Sequence, residues 1–157
     1  MDLALDKLEL RIPPVAAALL FAAAMWGASL AVPSITLPFA HRELAATVLA
    51  VFGGGVSLAG VASFRRAKTT VDPTRPDAAS ALVSSGVYRV TRNPMYLGFT
   101  LMLLGWAAFL SNVLSLIIAV AFVFYMNRFQ IEPEERALSA RFGKAFAAYR
   151  ASVRRWV

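Results

Sequence analysis

An all-α integral membrane protein of about four spans, with a C-terminal amphipathic helix, is what this sequence predicts, and three observations carry that expectation. Apolar residues make up 59% of the 157 and charged residues 16%, against about 45–50% and about 25% in a typical soluble domain. The apolar excess is concentrated in three uncharged stretches: 29 residues from Ile12 to Ala40, 21 from Leu44 to Phe64, and 35 from Asn93 to Asn127. A bilayer core needs about 20 mostly apolar helical residues. Finally, 13 of the 16 Lys and Arg residues follow Phe64, six between Arg65 and Arg92 and seven from Arg128 onward. The positive-inside rule then places the 65–92 loop and the tail in the cytoplasm. These features exclude an ordinary soluble domain and a disordered chain. The absence of cysteine excludes structural disulfides, thiol catalysis and zinc-thiolate sites, and no metal site is expected.

The first span reads as about 13–32, because Pro13 and Pro14 suit a helix start and Pro33 and Pro38 end the run. Met1–Arg11 mixes Asp2, Asp6 and Glu9 with Lys7 and Arg11, which is no signal-peptide n-region, so the span is expected to be retained. The second span, about 43–64, carries Gly53, Gly54, Gly55 and Gly60 with Ala46, Ala50 and Ser57. Small residues let helix backbones approach closely in lipid, against a neighbouring span or, alternatively, a cofactor. The 35-residue stretch would measure about 52 Å as one helix, against a core of about 30 Å. Ser111-Asn112 breaks it in the middle, and Arg92 and Arg128 mark both ends as cytoplasmic. It therefore reads as a hairpin of two short spans, about 95–110 and 113–128, which puts both termini inside. From Pro133 onward Leu138, Phe142, Phe146, Tyr149, Val153 and Trp156 recur at helical spacing between basic residues. Pro133 with Glu134 and Glu135 gives this tail the preferred start chemistry of a helix. An interfacial helix closing the cytoplasmic mouth of the spans is expected. The whole chain, 1–157, is read as one domain.

A net charge of +7 raises the question of nucleic acid. The charges flank membrane spans, however, so anionic lipid headgroups are the expected partner and nucleic acid is not. Away from their ends, none of the four spans contains an ionisable residue of the kind that marks pumps and transporters. Polar chemistry is left to one thin layer, formed by Leu82–Gly98, Asn127-Arg128 and Glu134-Glu135.

In that layer Arg92-Asn93-Pro94-Met95-Tyr96-Leu97-Gly98, followed after the hairpin by Glu134-Glu135, Phe142-Gly143 and Tyr149, resembles the isoprenylcysteine carboxyl methyltransferase and phospholipid methyltransferase superfamily. The resemblance covers roughly 64–157. It implies a membrane enzyme that uses S-adenosylmethionine, with 65–157 as its cofactor-binding core. It also implies a cofactor site lined by Leu82, Val83, Tyr88, Asn93, Pro94, Met95, Tyr96, Gly98 and Glu134. That cofactor bears a carboxylate, an ammonium and a sulfonium. Glu134 or Glu135 can accept from the ammonium, and Arg92 or Arg128 can donate to the carboxylate. Tyr88 and Tyr96 offer ring faces for adenine, and Gly98 close backbone approach. The plain alternatives are span-end anchoring for Arg92 and Arg128, helix capping for Glu134 and Glu135, a turn for Asn93-Pro94, and an aromatic belt for Tyr88 and Tyr96.

The expected activity is methyl transfer to a lipid or isoprenoid-type amphiphile, as carboxylate O-methylation or lipid N-methylation, at the cytoplasmic membrane face. In a bacterium that face belongs to the inner membrane. An ionised carboxylate needs no general base, and positioning can supply much of the acceleration. An amine must lose a proton. His41 lies in the outer loop, so a base would be Glu135, Glu132, a tyrosine or water. Arg128 is expected to orient an anionic or polar acceptor group, and Arg128 and Glu135 are the expected catalytic pair. The prenylcysteine enzymes have His where Asn93 stands and a basic residue near Gln130. Gln130 cannot pair with a substrate carboxylate, which points to another amphiphile entering between the spans. Two other classes compete: a cofactor-free membrane scaffold and a small transporter.

Overall fold

The computed structural model describes residues 9–33, 40–68 and 80–157. Asp2, Asp6, Lys7 and Pro38 lie outside them, as does Arg75, one of the six basic residues between Arg65 and Arg92. Helix α1 spans Pro14–Ala31 and α2 spans Arg42–Arg66. A 3-10 turn at Gly86–Arg89 precedes α3, Pro94–Leu110, and α4 covers Val113–Met126. A π-helical segment, Asn127–Ile131, leads directly into α5, Glu132–Ser152. There is no strand among the described residues. Three helical stretches are long and apolar enough to cross a membrane, Pro14–Ala31, Arg42–Arg66 and the run beginning at Val113, and Pro94–Leu110 is a shorter apolar helix. The protein is an all-α membrane protein, as its composition predicts.

The hairpin forms where the polar pair interrupts the apolar run. Ser111 adopts a left-handed conformation (φ 49°), and the Asn112 side chain caps α4 by accepting from Ser115 N. At 17 residues α3 is about 25 Å long, somewhat less than a bilayer core. The same polar residues tie in α1. Asn112 Nδ2 donates to Val32 O at 3.0 Å, Ser115 Oγ to Met25 O at 3.1 Å, and Trp106 Nε1 to Ala22 O at 3.1 Å. In lipid no hydrophobic force draws helices together, so such hydrogen bonds and close packing take over that task. Met25, Phe122 and Met126 are wholly buried between α1 and α4, where the Phe21 and Phe122 rings meet edge to face at 5.3 Å. Large apolar side chains such as Leu19, Val51, Phe52 and Phe124 point outward, as a lipid-facing belt requires.

Helices α2 and α3 make the closest pair, and their glycines explain it. A Cβ on Gly98 would stand 2.0 Å from Ser57 Oγ and 2.3 Å from Gly53 O, and one on Gly53 2.6 Å from Gly98 O. Ser57 Oγ also donates to Met95 O at 3.0 Å. Gly53 and Gly60 thus serve a neighbouring span, whereas a Cβ on Gly54 or Gly55 would meet nothing within 4 Å. Gly98→Ala is expected to lower the melting temperature in micelles by the equivalent of about 1–3 kcal/mol, and Gly54→Ala to leave it unchanged. Equal melting of the two variants would contradict this packing.

Two features of the tail correct the sequence reading. It does not begin afresh at Pro133, because the helix of the fourth span continues through the π segment into α5, and the break lies at Gly143 (φ 47°, ψ −119°). Its apolar stripe also meets protein rather than headgroups. Leu138, Phe142, Phe146, Tyr149 and Val153 pack against Leu82, Val83, Val87, Tyr88 and Phe64, forming a second small core at the charged end of the bundle.

Candidate active site

The polar layer is built at the end of the bundle where α1 begins, α2 ends, α3 begins and α4 ends. Helical periodicity sorts its residues. On α5, Glu132, Glu135, Arg136 and Ser139 recur at three- and four-residue steps and line one face, while Glu134, Leu138 and Phe142 lie on another. The first face, with Arg150 and Arg155, lines an open cleft of about 420 Å³. The second turns toward Tyr88 and Tyr96.

Adjacent glutamates therefore meet opposite environments. Glu135 is buried and binds two cations, Arg92 Nη2 at 2.7 Å and Arg155 Nη2 at 2.7 Å. Burial alone would raise its pKa, but hydrogen bonds from Arg155 and Arg92 outweigh that and hold it below the usual carboxylate range. Glu134 accepts a hydrogen bond from the Tyr96 hydroxyl, and no cation pairs with it among the described residues. Burial pushes its pKa up to about 8, helped by the like charge of Glu135 and opposed by the bond from Tyr96. Burial, with the nearby Tyr149 and Glu134, also raises the Tyr88 phenol. Tyr149 is pushed up to about 12, again chiefly by burial, and its hydroxyl donates to Tyr88 O at 2.8 Å. Gly86 (φ +62°) allows the turn that carries Tyr88 inward, where its ring meets Phe64 edge to face.

The other residues singled out by the sequence fall into three groups. Leu82 and Val83 sit in the apolar cluster around Tyr88. Pro94, Met95 and Gly98 face α2: the Cβ positions of Gly60 and Gly53 would run into the first two and the last, respectively. Arg92 and Asn93 hold the C-terminal segment. Arg92 N donates to Arg154 O at 3.0 Å, Arg92 Nη1 to Val153 O at 2.6 Å and Arg150 O at 3.2 Å, and Asn93 Nδ2 to Arg155 O at 2.9 Å. Thr91 Oγ1 adds a bond to Arg155 O at 3.2 Å. Arg128 stands apart from these groups, paired with Glu9, which also binds Arg136.

The arrangement leaves one poorly solvated carboxylate, flanked by tyrosines and without a cation among the described residues, beside a segment held by the ion pairs of Glu135. Its chemistry fits a cationic ligand that also presents a flat ring. The sequence signals missed Arg155, which looked like one more headgroup contact, and Glu9, which lies 119 residues from Arg128 along the chain. No short-range pattern could have joined those pairs.

Comparison with known proteins agrees with the membrane architecture and this motif set. The model of the phospholipid methyltransferase family matches residues 41–145. An uncharacterized protein of Haemophilus influenzae is 40% identical over 63 residues, which is 40% of this chain and 100% of that protein. No solved structure matches. The chain belongs to the phospholipid methyltransferase family, and the activity that follows from membership is that of a membrane methyltransferase.

Proposed function

Starting from membership in that family, we propose that the chain uses S-adenosylmethionine to methylate a lipid-type amphiphile, at the membrane face that carries Arg92 and Glu134. The observation that carries the proposal is Glu134, a carboxylate held with a raised pKa beside Tyr96 and paired with no cation among the described residues. A sulfonium or ammonium supplies the missing charge. When bound, the cofactor contributes an electrophilic methyl group.

The residues of the chain then have separable tasks. Glu134 receives the positive end of the cofactor, and Tyr96 fixes the orientation of its carboxylate. Tyr88, supported by the Tyr149 hydroxyl at its backbone carbonyl, offers a ring face over the apolar cluster with Leu82 and Val83. Asn93, Pro94, Met95 and Gly98 shape the start of α3 on which Tyr96 rides. Glu135 is a weak base because two arginines hold it, so its role here is to fix Arg92 and Arg155 and thereby the floor of the site. Arg128 orients a polar or anionic group of the acceptor. An ionised acceptor oxygen needs no base in such a site, and catalysis rests on positioning and exclusion of water. The positive-inside distribution supports a cytoplasmic site, and Glu9 and the C-terminal residues lie at this same end of the bundle.

Calorimetric titration of the purified protein with S-adenosylmethionine tests the proposal and carries a pH signature. A free Glu134 with a pKa near 8 is largely protonated at pH 6 and must ionise to meet a cation. Affinity is expected to rise roughly tenfold per pH unit below that pKa and then level off, with release of about one proton. Buffers of different ionisation enthalpy read the proton directly. No binding, or binding without proton release at pH 6.5, would refute the assignment.

A further inference from the structure

The N-terminal segment is strapped across the junction between the fourth span and the tail. Leu10 N donates to Phe129 O at 3.0 Å, and Gln130 Nε2 to Ile12 O at 2.8 Å. Glu9 gives one carboxylate oxygen to Arg128 Nη1 and the other to Arg136 Nη2. Two guanidinium groups, from the π segment and the second turn of α5, thus converge on one anion. The Glu9 side chain is 13% exposed, whereas those of Arg128 and Arg136 are 34% and 59% exposed. The cations therefore open to the surroundings at the depth where the fourth span ends, and Glu9 fills the space between them. Two further observations bear on how firmly the strap is held. Leu10 has φ 57°, a left-handed conformation that costs a non-glycine residue about 1 kcal/mol or more. The Gln130 side chain is wholly buried, yet its Oε1 has no hydrogen-bond partner among the described residues.

We propose that Arg128 and Arg136 form a seat for the phosphate of a phospholipid headgroup, and that Glu9 is its internal occupant, which must leave before the headgroup docks. The spacing suits the exchange, because each arginine serves one oxygen of a carboxylate whose two oxygens are nearly as far apart as two oxygens of a phosphate diester. Both anions carry one negative charge, so Glu9 and the headgroup exchange without a change in local charge. Glu132 lines the same cleft as Arg136 and disfavours a second anion there. As the place where an acceptor waits, this seat rests on the methyltransferase proposal. As an anion site it rests on the geometry alone.

The test uses the full chain in phosphate-free detergent micelles, without S-adenosylmethionine. The probes are dihexanoyl phosphatidylglycerol and inorganic phosphate. Phosphorus NMR titration is expected to show the lipid binding about tenfold more tightly to Glu9→Gln than to wild type, because a competing charge-assisted contact has been removed. Arg136→Gln in the Glu9→Gln background should cancel the gain. In wild type, the lipid should accelerate tryptic cleavage after Arg11 severalfold by freeing the strap. That measurement needs no variant and decides the matter if Glu9→Gln fails to fold. Equal affinities in folded wild type and variant, cleavage indifferent to lipid, or a response to inorganic phosphate alone would overturn the proposal. Because no cofactor is present, failure here leaves the calorimetric result standing, and failure of cofactor binding leaves this assay unaffected.

Discussion

Glu134→Gln is expected to weaken S-adenosylmethionine binding by about ten- to a hundredfold, the worth of a charge-assisted contact of roughly 1.5–3 kcal/mol, while leaving the fold at least as stable as wild type. The two effects have one cause. Burial raises the pKa of Glu134 from 4.5 to about 8 in the folded protein. The folded state therefore binds more protons than the unfolded state between those values, and stability falls as pH rises through that window. Glutamine keeps the hydrogen bond from Tyr96 and removes the charge. The variant should melt close to wild type at pH 5 and progressively above it toward pH 8.5, while calorimetry shows the lost affinity. A variant that binds the cofactor normally would remove Glu134 from the site. One that melts below wild type at pH 8.5 would show that the ionised carboxylate is compensated by some other group.

The second large effect concerns the neighbouring residue and has the opposite character. Glu135→Ala should destabilise the protein by about 3–5 kcal/mol, because it strands the buried Arg92 guanidinium and takes the shared partner from the half-buried Arg155. The Arg92 side chain is only 11% exposed and that of Arg155 33%. Arg92 also carries much of the attachment of residues 150–154, so loosening it should free the C-terminal segment as a unit. Unfolding curves in mixed micelles read the stability, and exchange of the Arg92 amide, whose N–H donates to Arg154 O, reads the release. An unchanged melting temperature would mean that the ion pairs contribute nothing net. Intact protection of the Arg92 amide would mean that the Thr91 and Asn93 bonds to Arg155 O hold the segment without them.

Much of the architecture was legible because membrane insertion is governed by composition over a window of about 20 residues. The uncharged runs located the spans, and the Ser111-Asn112 pair located the hairpin, where the structure places a left-handed residue and a side-chain cap. The tail was legible as a helix, but its partner was not. Periodicity reports that a helix has an apolar face, not whether lipid or the 82–89 segment covers it. The continuous run from the fourth span into α5 was hidden for a related reason. Pro133 at a helix N-terminus looks the same whether the helix starts there or adjusts through a π segment, which can spare the missing amide.

The candidate site divides along the same line. By itself the sequence determined an all-α membrane protein whose polar chemistry is confined to one end, with Arg92-Asn93-Pro94 and Glu134-Glu135 brought to the same depth. Those properties follow from hydropathy, charge placement and motif spacing, all of which are local. Only the tertiary structure decided which glutamate of the pair the arginines bind, that Arg92 and Asn93 hold the C-terminal segment, that Gly98 packs on α2, and that Glu9 sits between Arg128 and Arg136. Successive residues of a helix point about 100° apart, so two adjacent carboxylates can face a pair of arginines and a pair of tyrosines. Which of them does so depends on residues 20 to 43 positions away along the chain.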